Sequence, residues 1–97
     1  MLFQVEMNIT IPPGADPEEV KRLGAEETEL AQQLQRRGTW AHLWRVVGKR
    51  ANLSIFDVED ADELHDILMR LPLRAYMDIQ VTALCDHPAS IQSAGDT

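Results

Sequence analysis

The hydrophobic period of this chain switches from two to about 3.6 and back, and the order of the switches leaves few folds open to it. Residues 2–11 alternate. Phe3, Val5, Met7, Ile9 and Ile11 fall on one side; Gln4, Glu6, Asn8 and Thr10 fall on the other. That is the pattern of a half-buried strand, and Pro12, Pro13 and Gly14 stop it. Asp16 then provides an N-cap, Pro17 suits the first helical position and Glu19 completes a capping box. The helix predicted from there runs to about Arg37 and ends at Gly38, with Val20, Leu23, Leu30, Ala31 and Leu34 as its apolar stripe. Residues 40–48 and 51–58 read as two strands joined by a short Gly48-Lys49-Arg50 link, a hairpin. Asp60 and Glu63 open a second helix carrying Leu64, Ile67, Leu68 and Leu71, which ends before Pro72. Residues 76–84 form a fourth strand, with Met77, Ile79 and Val81 on one face.

The order βαββαβ predicts an α+β fold of the ferredoxin-like kind, an antiparallel sheet with two helices on one face. One domain over residues 1–91 accommodates it, with 92–97 as a flexible tail. Trp40, Trp44 and Val46 share one parity of the second strand, while Leu43 and Val47 share the other. A strand apolar on both faces needs cover on both, and two helices cover only one. The other face is therefore expected to meet a second subunit, a common remedy for a 97-residue chain with a small core.

A formal net charge of −7 argues against nucleic acid and against anionic membrane surfaces. No apolar run approaches the ~18 residues of a membrane span, and the first residues read as a strand and not as a signal peptide. Cys85 is the single cysteine, so no intrachain disulfide forms and a reducing cytoplasm fits. No nucleotide-binding glycine motif, nucleophile elbow or zinc-protease motif occurs, and His42, His65 and His87 lack metal-ligand spacing. No metal and no cofactor is expected. Carboxylate, histidine and tyrosine chemistry remains, and proton transfer is its natural class.

Glu27 stands out. The first helix steps through positions 20, 23, 27, 30 and 34, and a carboxylate interrupts that stripe. Burial would raise its pKa and suit it to general-base work; the alternative is a buried ion pair, or a slightly rotated helix that exchanges it with Glu26. His65 flanks the second helix stripe and could equally be a packing histidine. His42, sharing the parity of Trp40 and Trp44, lines either a pocket or a subunit interface. Arg45, among apolar neighbours in a strand, calls for an anion from protein or substrate. Tyr76 and Asp78 share a parity on the last strand, and Tyr76 could donate to a developing enolate or simply pack.

The segments LAQQLQRRGTWAHLWRVVG, ANLSIFDVEDADELHDIL, LPLRAYMDIQVTAL and HPASI resemble, in order and at these spacings, the muconolactone isomerase family. The likeness covers Met1 to about Ile91. It implies a decameric enzyme of the catechol branch of the β-ketoadipate pathway, which converts muconolactone to 3-oxoadipate enol-lactone. No metal or organic cofactor takes part. It further implies Glu27 as the proton shuttle, with Tyr76 or His65 polarising the lactone carbonyl. Arg45 or His42 would hold the acetate arm of the small anionic lactone, Trp40 and Trp44 would form apolar walls, and Asp78 belongs to the same substrate-binding set. The chain departs from the family pattern at Gly24, where relatives typically carry lysine, and at Leu53, Arg74 and Ala75; Arg74 is a candidate replacement anion clamp. Two neighbouring activities therefore remain open, a chloromuconolactone dehalogenase or a methylmuconolactone-type isomerase. So does one of another class, a non-catalytic oligomeric ligand-binding module. A Glu27 facing an open cavity favours the enzyme, and a Glu27 locked to an arginine favours the module.

Overall fold

The computed structural model describes residues 1–91; the tail expected at 92–97 lies outside the described residues. Its elements follow the predicted order: β1 (Leu2–Ile9), α1 (Pro17–Arg36), β2 (Trp40–Arg45), β3 (Ala51–Asp57), α2 (Ala61–Met69), a short 3-10 turn (Arg74–Tyr76) and β4 (Met77–Leu84). The sheet runs β2-β3-β1-β4, antiparallel throughout. β1 is central, paired with β3 on one side and β4 on the other. Phe3 lies opposite Phe56 and Ala83, Val5 opposite Ser54 and Val81, and Met7 opposite Asn52 and Ile79. Val5, Met7 and Phe56 are fully buried, each contributing about 1.5–3 kcal/mol of transfer free energy. Ala31 and Leu34 of α1 and Leu64, Ile67 and Leu68 of α2 join the same core. Both helices therefore lie on one face, and the architecture is ferredoxin-like. The amino terminus pins the start of β1, donating to the Val58 carbonyl at 2.6 Å.

The element ends show which local rules operate. Asp16 caps α1, but through the amide of Glu18 at 3.1 Å, not through the predicted Glu19. At α2 the Glu63 amide donates to Asp60 at 2.8 Å, and the Glu63 carboxylate reaches back to the amide of Glu59. Gly38, at φ 80°, carries the chain out of α1 in a conformation that a Cβ would disfavour.

The second strand differs from expectation. It ends at Arg45, and Val46 enters a turn instead of continuing the strand, with Val47 95% exposed. A bulge also interrupts it. Trp40 lies opposite Phe56, yet His42 lies opposite Ile55, so Ala41 is the extra residue. That one residue reverses the faces. Trp40 looks toward the helices, while His42 and Trp44 look away from them and Leu43 and Arg45 look toward them. The expected single cluster of Trp40, His42 and Trp44 is thus divided between the two faces of the sheet. A bulge leaves no mark in the pattern of apolar residues, which is why parity alone misplaced them. On the open face His42 stacks on Trp44 at 5.0 Å with the rings nearly parallel, and Trp44 remains 53% exposed.

Candidate active site

α1 turns one stripe, Gly24, Glu27, Thr28 and Ala31, toward a cavity of about 450 Å³. The opposite wall is the β2–β3 hairpin, with Leu43, Arg45, Arg50 and Asn52. Ile9, Met77 and the buried Leu73 close the end. Glu27 is half-buried there. The amide of Leu73 donates to its Oε1 at 3.0 Å, and no cation pairs with it among the described residues. Burial pushes its carboxyl above the ordinary glutamate value of 4.5, and the Leu73 amide only partly opposes this. Its neighbour Glu26 is exposed and bonded to Arg22 at 3.1 Å. The rotation of α1 therefore settles which of the two glutamates enters the cavity.

Arg45 and Arg50 stand on the same wall, and neither forms an ion pair among the described residues. Arg45 donates to the Lys49 carbonyl at 3.5 Å, its one side-chain hydrogen bond among the described residues. Two guanidiniums with unspent donors make a receptor for a carboxylate. Arg50 escapes the reading of the sequence because it lies in the hairpin link. Only the turn geometry brings it over the cavity. Asn52 is the other addition. Ser54, wholly buried, donates to its Oδ1 at 2.7 Å, which leaves the amide nitrogen with a weak contact to the Met7 sulfur at 3.5 Å.

Of the predicted site residues, Glu27, Trp40 and Arg45 line this cavity, and Trp44 borders it only from a strand whose indole points to the other face of the sheet. His65 does not; it borders a second depression formed with Phe3, Leu68 and Val81, over the other half of the sheet. Tyr76 and Arg74 lie in the 3-10 turn and Asp78 is the second residue of β4, opposite Asn8, none of them on the cavity wall. His42 faces the other side of the sheet. Among the described residues no group of three or more His, Cys, Asp or Glu is disposed to hold a metal, and no helix is long and apolar enough to cross a membrane.

An unpaired carboxylate and two arginines around one cavity suit proton transfer on a small anion, and comparison with known proteins bears on which one. A family model described as muconolactone delta-isomerase matches residues 1–90. The chain is 53% identical over 93 residues to muconolactone Delta-isomerase of Pseudomonas aeruginosa, covering 96% of this chain and 97% of that one. To the enzyme of the same name from Pseudomonas putida it is 54% identical over 93 residues, with the same coverage. A crystal structure of muconolactone isomerase aligns with a TM-score of 0.89 and 56% identity over 94% of this chain and 95% of that one. A 5-chloro-2-hydroxyhydroquinone dehydrochlorinase from Burkholderia phenoliruptrix, at TM-score 0.63 and 16% identity, shares the fold alone. With the match running through α1, the hairpin and β4, the elements that build the Glu27 cavity, this chain belongs to the muconolactone delta-isomerase family.

Proposed function

We propose that this protein converts muconolactone to 3-oxoadipate enol-lactone by moving one proton through Glu27. The supporting observation is a half-buried carboxylate facing an open cavity with no cation locked to it. In an unsaturated lactone the ring proton γ to the carbonyl is acidic, because its loss gives a conjugated dienolate. Ionised Glu27 removes that proton and, as the neutral acid, returns it to the α carbon. The double bond shifts and nothing is consumed. A carboxyl raised by burial holds a proton more firmly than an exposed one, as a shuttle that is base and then acid requires. Arg45 and Arg50 receive the acetate arm, and the Asn52 amide supports the charge that develops on the carbonyl oxygen. Trp40 serves as a wall, and Trp44, expected as a second, turns its ring to the other face of the sheet. A part for His65 or Tyr76 in polarising the carbonyl, or for His42, Arg74 or Asp78 in binding, requires a site completed by a second subunit.

The protein is read as a cytoplasmic homo-oligomer, decameric on the family pattern. The open face of the sheet supports association, since Leu53, Ile55 and the exposed Trp44 lie there without helical cover.

The test is an ultraviolet and NMR assay with (+)-muconolactone, run with a chelator present. Rapid formation of the enol-lactone is expected. Arg50→Gln should raise KM on the order of tenfold while changing kcat less, as removal of a ground-state anchor does. No turnover by the correctly assembled oligomer would overturn the reading.

A further inference from the structure

Gly24 occupies the middle of α1, where glycine is a poor choice because it is among the weakest helix formers. Two ordinary reasons for such a glycine are absent. Its backbone is not in the left-handed region, which among the described residues only Gly38 and Gly48 occupy. Nor is it pressed by a neighbour, because a Cβ built on it meets nothing within 4 Å. What Gly24 does is line the cavity, one turn before Glu27 and on the same helix face as Thr28 and Ala31. Beside the carboxylate, then, the cavity-facing stripe is made of small residues, and the smallest has neither a backbone nor a packing requirement behind it.

We propose that Gly24 is a specificity-determining residue, whose missing side chain leaves room beside Glu27 for a methyl-sized apolar substituent on the lactone ring. The inference rests on the lactone-isomerase reading. The cavity's lining includes apolar groups that could meet such a substituent, among them Ile9, Ala31, Leu73 and Met77. A side chain at position 24 would project from the same face as Glu27 and reduce that room. Muconolactone itself leaves the space to water; a methylated ring fills it.

The experiment measures kcat/KM for muconolactone and for a ring-methylated muconolactone with the assembled wild-type protein and with Gly24→Ala, Gly24→Val and Gly24→Leu. One methylene in an apolar pocket discriminates roughly 10–200-fold. The ratio of methylated to unmethylated kcat/KM should therefore fall stepwise with side-chain size, by tenfold or more at valine. Thermal melting provides the second readout, and Gly24→Ala should melt higher than wild type because alanine is the better helix former. A ratio that stays flat in variants active on muconolactone overturns the inference alone. So does a Gly24→Ala protein that melts lower, because it would show a structural need for glycine. A wild type that turns over neither lactone overturns the isomerase reading, and this inference with it.

Discussion

The two helices lie side by side on the same sheet and do opposite things. α1 spans 20 residues and buries two side chains, Ala31 and Leu34; α2 spans nine and buries three, Leu64, Ile67 and Leu68. The inward stripe of the first half of α1 reads Gly24, Glu27 and Thr28, and these residues line the cavity where an apolar stripe would pack. α2 has an unbroken apolar stripe that closes onto Phe3 and its neighbours. One side of the fold supplies stability, and the other gives up packing to hold a carboxylate away from bulk water. Chemistry and cohesion are separable here along the sheet, and each can be attacked without the other.

The largest effect expected of a single change is in the open half. Glu27→Gln should lower kcat on the order of 10²–10⁴-fold, about 2.7–5.5 kcal/mol of barrier, while the oligomer and its melting are retained. Glutamine keeps an oxygen for the Leu73 amide, so the loop need not move. Glu26→Gln is the matched control, since Glu26 is exposed and paired with Arg22. Equal losses in the two variants would mean that the cavity does not single out Glu27.

The corresponding change in the closed half should reverse the pattern. Ile67→Ala removes a buried side chain at the centre of the α2 contact and should cost about 2–5 kcal/mol of stability, read by urea or thermal unfolding. Below the melting transition kcat should stay within a few-fold of wild type, because Ile67 does not border the Glu27 cavity. A kcat loss comparable to that of Glu27→Gln would show that the two halves are coupled and break the contrast.

The same division explains what was legible in the residues. The closed half could be read almost to the letter, because periods of two and 3.6 and the cap at Asp60 are local signals. Glu27 could be read as well, as a polar residue where the stripe called for an apolar one. The cavity's other wall could not. The bulge at Ala41 inserts one residue with no signature in hydrophobicity, and it moves His42 and Trp44 to the far face while Arg45 turns inward. Arg50 and Asn52 reach the cavity through a turn and a register, both set by long-range pairing. His65 shows the converse limit: it flanks a helix stripe as a functional residue might, but within one protomer that helix covers the other half of the sheet.

A smaller effect concerns proton linkage at Glu27. Its folded pKa is raised, so folding favours the protonated form. Below 4.5 the carboxyl is protonated in both states and contributes no difference. As pH rises from there through the folded pKa, the unfolded state releases its proton first and stability falls; above the folded pKa the whole penalty applies. Glu27→Gln has no such dependence. The variant and wild type should melt alike at pH 3.5, and the variant should melt higher at pH 8. A wild type more stable than the variant at pH 8 would mean that a cation supports the carboxylate in the assembled protein, returning Glu27 to a structural role.

The smallest effect tests whether the open half is also complete. Trp40 is 2% exposed and packs against Phe56 at 4.7 Å, yet its indole nitrogen is buried without an acceptor among the described residues. An unsatisfied buried donor costs about 1–3 kcal/mol. Trp40→Phe removes that cost but also loses part of the ring's packing, and the two changes oppose each other. The net change should be within about 1 kcal/mol, well below the roughly 3–5 kcal/mol of truncating a buried tryptophan to alanine. Denaturant unfolding of both variants in the assembled protein reads the difference. If phenylalanine costs nearly as much as alanine, the indole N–H is engaged in solution by an acceptor outside a single protomer. The wall of the Glu27 cavity would then be shared between subunits, and the contrast between the two helices would hold for the protomer but not for the assembly.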